Sequence, residues 1–412
     1  MKKIITFSLM ATTGMLAGGY KVPEQSLNSM ALGAAYVAHT QGADTAYFNP
    51  ANMAFIEDSH QFMEAGITLA NLPSNTYHGV QAFSATEAYP ANGESEEENL
   101  FLPYLHYVSQ PLSNNLRWGA SLTVPGGLTK EWESPYQKLF AEEFTLKILE
   151  FNPVLSYKVN DQFALGGGAR IIYSEGKVYS DGDQTTKPIK REMEGDTLEY
   201  GYNLALSYRP DPSITMALTY RSNIDLNEEG DANLYIGGAG QQFGADVTVP
   251  LPAALNLAIS KTWMDRFTLE FNYERTYWSE YKVLDFNYAS PIQPLLVEPF
   301  DDPKPKHWND TDTFRIGATF ETGQLTYMLG FAIDETPVPK EYLNYELPDS
   351  DAKIYSAGVR YQASEQLAYG LALLHDEKES ITLDPQENVN GIIGEFTDGG
   401  ANLLTASVSY RF

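Results

Sequence analysis

From residue 59 onward the chain repeats one pattern, a run of about ten residues in which apolar and polar side chains alternate. In Ser213–Ser222, Ile214, Met216, Leu218 and Tyr220 alternate with Thr215, Ala217, Thr219 and Arg221. Phe267, Leu269, Phe271 and Tyr273 alternate likewise with Thr268, Glu270 and Asn272. A period of two sends one set to each face of a strand. About ten residues is the length a tilted strand needs to cross the apolar core of a membrane. About fourteen segments fit: 59–70, 100–109, 116–124, 146–158, 163–174, 197–208, 213–223, 247–261, 266–276, 311–321, 324–334, 353–362, 366–376 and 402–412.

The connections sort by length. Short polar turns at 110–115, 160–162, 209–213, 264–266, 321–324 and 362–365 alternate with long stretches at 71–99, 125–145, 175–196, 224–246, 277–310, 335–352 and 377–401. A soluble sandwich has no reason to sort its loops in this way. A bacterial outer-membrane barrel does, with short periplasmic turns and long extracellular loops. The expected fold is therefore all-β, a transmembrane antiparallel β-barrel of about 14 strands whose first strand runs outward. Its last strand sets Leu404, Ala406, Val408, Tyr410 and Phe412 on one face and Thr405, Ser407, Ser409 and Arg411 on the other. A terminal aromatic on such a strand resembles the signal read by the outer-membrane assembly machinery, which becomes an expected partner.

Composition narrows the chemistry. The 412 residues contain no Cys, which excludes disulfides, thiolate metal sites and cysteine nucleophiles. Acidic residues outnumber basic ones 54 to 27, so a phosphate backbone would be repelled and nucleic acid is no partner. The 27 Tyr suit the aromatic girdles of a membrane barrel. Lys2 and Lys3, the apolar run Ile4–Leu16 and the small residues from Ala17 predict a cleaved signal peptide over 1–17. That run falls short of the ~20 residues of a spanning helix. The six His sit in no hydrolase or metalloprotease motif. No enzyme activity, catalytic residue, metal or cofactor is expected.

Residues 18–58 precede the barrel at 59–412 and are too many for an ordinary connection. Leu27, Met30, Ala31, Ala34 and Ala38 recur at helix-like spacing. Two outcomes stay open for this segment, a plug folded up into the barrel and a disordered periplasmic tail. Its motifs are distinctive: Glu24-Gln25-Ser26, Leu32-Gly33-Ala34-Ala35-Tyr36, Ala43-Asp44-Thr45-Ala46 and Asn49-Pro50-Ala51. They resemble the hatch of the FadL/TodX family of outer-membrane transporters of hydrophobic compounds. Gly119-Ala120-Ser121-Leu122-Thr123-Val124-Pro125-Gly126-Gly127 is similar to the family's third strand and kink. Ala217–Ser222, Trp278-Ser279, Phe314–Gly317 and Phe331–Pro339 resemble later family motifs, in the family's order.

The resemblance implies a fourteen-stranded barrel plugged by a small helical hatch. It implies a passive importer, of long-chain fatty acids ahead of aromatic hydrocarbons, with capture by extracellular loops, binding against the hatch and lateral release at the third-strand kink. The residues offer a physical counterpart for each step. Asn49, Pro50 and Ala51 form a firm turn able to seat the hatch, or an ordinary turn before the first strand. Pro125, Gly126 and Gly127 can break strand pairing, or merely mark where the strand leaves the membrane. Leu128, Trp132, Tyr136, Leu139 and Phe140 offer an apolar landing site, or pack on one another. Strand parity turns Arg117, Arg170, Arg221, Arg315 and Arg360 inward. Arg221 and Arg315, inside family motifs, are candidates for a fatty-acid carboxylate, against structural pairing with lumen acids. Asp334 is a candidate contact between hatch and wall. The expected partners are hydrophobic small molecules, outer-membrane lipid and lipopolysaccharide, with the protein a monomer. A general porin and an outer-membrane lipase are the rivals, and an adhesin or phage-receptor role is compatible with transport.

Overall fold

The computed structural model describes residues 18–57, 59–113 and 115–412; the predicted signal peptide lies outside them. Fourteen antiparallel strands form a closed barrel. In order they are Phe62–Leu72, Glu98–Val108, Leu116–Thr123 continued by Gly127–Glu131, Glu143–Lys158, Phe163–Asp181, Ile189–Asp211, Ile214–Arg221 continued by Ile224–Ile236, Ala239–Leu251 continued by Ala254–Trp263, Phe267–Thr276, Thr311–Thr322, Leu325–Asp334, Ala352–Gln362, Leu367–Lys378 and Gly400–Arg411. The first and fourteenth pair from Phe62↔Arg411 to Asn71↔Asn402, which closes the wall and removes its edges. Leu404, Val408, Tyr410 and Phe412 face outward and are exposed, whereas Thr405 and Ser407 are buried in the lumen. Among the described residues no helix is long and apolar enough to cross a membrane, so the crossing is made by strands.

Two stretches expected as loops, 175–196 and 224–246, are mostly strand. The fifth strand runs on to Asp181 and the sixth begins at Ile189, paired from Lys190↔Asp181 downward. The seventh continues to Ile236 and returns through the eighth, paired from Ile236↔Ala239 to Ile224↔Leu251. The physical reason is a change of solvent. Lower down, apolar residues face outward and polar ones inward. In these upper extensions Ile189, Met193, Leu226, Leu234, Phe243 and Val247 are buried inside, and Glu192, Glu194, Asp225 and Asp246 point out. The period of two persists while its polarity inverts, because water replaces lipid around the wall and the interior must supply the apolar core.

The stretches 71–99 and 377–401 also gain structure. Thr76–Ser84 pairs with Ile392–Thr397 and with Glu87–Pro90, forming a small sheet joined by Ile381–Leu383. It supplies Tyr77, Ile381, Ile392 and Phe396 to the apolar cluster at the extracellular end.

Residues 18–57 are packed against the inner wall. A short helix, Leu27–Ala31, is capped reciprocally by Ser26 and Ser29, and all five of its residues are buried. It lies on the eleventh to fourteenth strands. The contact is close enough that wall positions must lack side chains: a Cβ on Gly330 would fall 2.1 Å from the Leu32 carbonyl carbon, and one on Gly370 2.0 Å from Leu27 Cδ2. Gly330→Leu is expected to keep a folded, heat-modifiable barrel but to displace the segment. Overpacking of about 1–3 kcal/mol should speed proteolysis within 26–41 at least about fivefold. Unchanged proteolysis would contradict this packing.

Candidate functional site

The third strand stops pairing with the second after a short stretch. Their ladder covers only Leu105–Val108 against Gly119–Leu122, and the two chains meet again at the Ser95↔Trp132 bridge. Between these points the strand is interrupted at Val124 and Pro125, and its edge is completed from inside the barrel. Gln25 Nε2 donates to the Val124 carbonyl (2.7 Å), and the Val124 N–H donates to Gln25 Oε1 (2.8 Å). The Val22 N–H reaches the Pro125 carbonyl (2.9 Å), and the Gly127 N–H reaches the Tyr20 carbonyl (2.8 Å). Pro125 needs no partner for a donor it lacks. Gly126 lets the two backbones meet, since a Cβ there would stand 2.9 Å from the Tyr20 carbonyl oxygen.

Two cavities flank this junction. The upper one is lined by Tyr20, Leu128, Phe144, Leu146, Val178, Met193, Val247, Val249, Tyr281, Leu284, Phe286 and Trp308, with about 620 Å³ between them. Tyr20, Trp278, Tyr281 and Trp308 pack edge to face or, for Tyr20 on Trp308, tilted beside it, with ring centroids 4.8–6.4 Å apart. The lower cavity, about 770 Å³, lies between the segment and the wall and is lined by Lys21, Val22, Tyr47, Phe48, Pro125, Arg170, Arg221, Leu251, Glu274 and Arg315, among others.

Charges in the lower cavity are paired but not balanced. Glu150, on the fourth strand, accepts from Arg170 Nε (3.1 Å) and Nη2 (2.9 Å) and from Arg221 Nη2. The Arg221 guanidinium also lies 4.3 Å from the centre of the Tyr47 ring. Glu274, on the ninth strand, takes Lys21 Nζ (2.6 Å) and Arg315 Nη2 (3.2 Å). Four cations thus share two carboxylates. Glu24, buried nearby on the segment, has its carboxyl pushed up to about 7 by that burial, against the pull of Arg315.

Further carboxylates and amides hold the segment. Glu270 on the ninth strand accepts the backbone N–H groups of Val37, Ala38 and His39 at 2.5, 2.8 and 2.7 Å. Asn49 Nδ2 donates to the Val37 carbonyl (2.8 Å) and to Ser207 Oγ (2.9 Å), and Asn49 Oδ1 caps the Ala51 N–H (3.2 Å). Pro50 starts the 3₁₀ turn Pro50–Phe55, and the Ala51 carbonyl accepts from Ser156 (3.1 Å).

Residues 8–412 match the family model described as outer membrane protein transport protein (OMPP1/FadL/TodX). The chain belongs to the FadL/TodX family. A long-chain fatty acid transport protein of Escherichia coli O6:H1 is 23% identical over 365 residues, covering 78% of this chain and 79% of that protein. Outer membrane protein P1 of Haemophilus influenzae is 22% identical across 99% of this chain and 98% of its own. Among solved structures, a Pseudomonas aeruginosa FadL homologue superposes with a TM-score of 0.80 at 19% identity, over 96% of this chain and 99% of that one. The Pseudomonas putida toluene transporter TodX gives 0.70 at 16% identity, over 95% and 99%. This FadL/TodX protein is thus an outer-membrane protein of a family that transports hydrophobic compounds.

The residues singled out from the FadL/TodX resemblance fall in different places. Asn49 and Ala51 hydrogen-bond to the wall on either side of Pro50, Pro125 and Gly126 lie in the break, and Gly127 begins the resumed strand. Arg221 and Arg315 line the lower cavity, each on a carboxylate. Asp334 accepts from Thr313 and lies within 2.8 Å of where a Gly18 Cβ would be. Of the five apolar loop residues only Leu128 lines a cavity. Trp132 is fully buried with its Nε1 on the Tyr345 carbonyl (2.9 Å), Leu139 is buried, Tyr136 stacks on Tyr89 and Phe140 packs on Tyr345. Trp132 and Leu139 lie in the core of the extracellular cap, and Tyr136 and Phe140 are half-buried against it, because loops of this length bury apolar groups against one another. Glu270 and the backbone at Tyr20–Val22 belong to no sequence motif. The inward parity of Glu270 is legible in its strand, whereas three residues joined to the wall through one isolated bridge have no pattern to read.

Proposed function

We propose that this protein imports long-chain fatty acids passively across the outer membrane. The acyl chain is captured at the extracellular cap, enters the upper cavity, passes to the lower cavity and leaves sideways between the second and third strands. The observation that carries this is the break at Val124–Pro125, whose free edge is held, among the described residues, by residues 20–25 of a segment that also walls both cavities. Displacing Tyr20–Val22 would open the wall without unfolding it. The surplus of cations below suits a carboxylate, and residues 18–58 act as the hatch. The aromatic lining of the upper cavity favours aromatic hydrocarbons as the second reading.

A porin is disfavoured because the segment fills the lumen. A lipase is disfavoured too: His106 Nδ1 lies 2.9 Å from Ser121 Oγ, but its Nε2 is committed to the Gln25 carbonyl (2.7 Å) rather than to a carboxylate that could orient it. The terminal strand addresses the chain to the assembly machinery, and the acidic outer loops meet lipopolysaccharide around a monomer.

The test is growth of a transporter-deficient strain on oleate, complemented by this gene. The wild-type gene restores growth. Replacing Pro125 and Gly127 by Ala, with Gly126 kept because a Cβ there would press on the Tyr20 carbonyl, favours a continuous strand and reduces uptake to that of the uncomplemented strain while the barrel stays heat-modifiable. Undiminished uptake would rule out the lateral exit, and no uptake with the wild-type gene would rule out the substrate.

A further inference from the structure

The upper cavity carries one polar group that none of these contacts uses. Glu228 lies in Ile224–Ile236, the extension of the seventh strand, where the outward neighbours Asp225, Asn227 and Glu229 are polar and the wall has left the apolar band. Its side chain points inward among the cavity's apolar residues and is 2% exposed. Neither carboxyl oxygen has a hydrogen-bond partner of good geometry, and the one donor beside it is the Ser174 hydroxyl, a neutral group. Gly176, across on the fifth strand, leaves room at this spot: a Cβ there would lie 3.6 Å from Glu228 Cγ. Among the described residues no Lys or Arg lines the cavity, and its other carboxylate, Glu346, is paired with Lys306.

A buried carboxylate with a single neutral hydroxyl beside it is under-satisfied, and a ligand that donates to it recovers part of that cost. An ionised fatty-acid head would bring a second negative charge against Glu228 at low dielectric. A hydroxyl, an ammonium or an un-ionised carboxylic acid would donate a hydrogen bond to it instead. Resting on the transport reading above, we propose that Glu228 makes the upper cavity a site for apolar molecules with a hydrogen-bond-donating head group, and against free carboxylate anions. The two cavities then differ in kind. The upper one accepts neutral or cationic heads, so that a fatty acid passes it as the un-ionised acid, and the lower one, with its excess of cations, accepts the anion.

The test uses the full-length protein in lipid nanodiscs with four probes of one chain length: dodecanol, dodecylammonium, dodecanoate at pH 8, and dodecane. Binding is read by tryptophan quenching, with Trp308→Phe identifying the upper-cavity signal and heat-modifiable mobility verifying the fold. Wild type is expected to bind dodecanol and dodecylammonium about tenfold more tightly than dodecanoate. Glu228→Ala should erase that order, whereas Glu228→Gln, which retains an acceptor, should keep the preference for dodecanol and lose that for dodecylammonium. An unchanged order in Glu228→Ala overturns the assignment. If wild type binds none of the four at this cavity, dodecane included, the transport reading fails and this assignment falls with it.

Discussion

Glu150→Gln should cost this barrel about 3–5 kcal/mol, the typical loss when a buried ion pair is broken on one side. Glu150 is fully buried and is the shared acceptor for Arg170 and Arg221. The amide keeps the shape but cannot neutralise two guanidinium groups. Arg170 retains the Ser222 carbonyl at 2.7 Å, and Arg221 keeps only the face of Tyr47. The loss should appear as a lower melting temperature of the heat-modifiable form. A second effect separates structure from binding. With their carboxylate gone, the two arginines should hold an anion more tightly, so oleate affinity at the lower cavity should rise as stability falls. A variant as stable as wild type would contradict the burial of the triad. A destabilised variant with unchanged oleate affinity would make these arginines purely structural.

Glu270→Ala is the second large effect, and it should act on the N-terminal segment rather than on the wall. One carboxylate takes three consecutive backbone N–H groups, at Val37, Ala38 and His39, and all three lose their acceptor at once. Charge-assisted bonds of this kind are individually worth about 1.5–3 kcal/mol. Because the three share one acceptor, a total on the order of 3 kcal/mol is expected, which moves the docked–undocked balance by about a hundredfold. Hydrogen exchange at residues 37–39 should accelerate accordingly, and small sugars should enter proteoliposomes faster as the lumen clears. The first strand remains paired to the second and fourteenth, so the barrel should still migrate as folded. Wild-type exchange rates at 37–39 would show that Asn49 and Asn52, which hold the Val37 and Ala38 carbonyls, suffice without Glu270.

Much of this fold was legible because a membrane strand states its own parity. Alternation in Phe267–Tyr273 placed Glu270 inward without any knowledge of its partners, and the same rule turned Arg117, Arg170, Arg221, Arg315 and Arg360 toward the lumen. It could not say what they meet. Glu150 and Arg221 are 71 positions apart, and their contact depends on the stagger of four strands, which no local pattern encodes. The upper extensions were missed for a different reason. In Ile224–Ile236 the alternation continues with lipid-side and lumen-side characters exchanged, so a search for outward apolar residues stops where the membrane stops. The inward glycines at 330 and 370 were visible signs of a close approach within a strand, but what approaches them had to come from the three-dimensional arrangement.

The imprint those glycines make has a consequence for the order of assembly. The helix Leu27–Ala31 has five residues and Thr45–Phe48 has four, far below the length at which an isolated helix holds its shape in water. Their apolar side chains pack against wall residues such as Val108, Val154, Ala332 and Ala372. The segment therefore has no native shape to adopt before the mould exists. It should reach the closing barrel as an unstructured strand and set inside it last, after the first and fourteenth strands have sealed, as a casting rather than a cork.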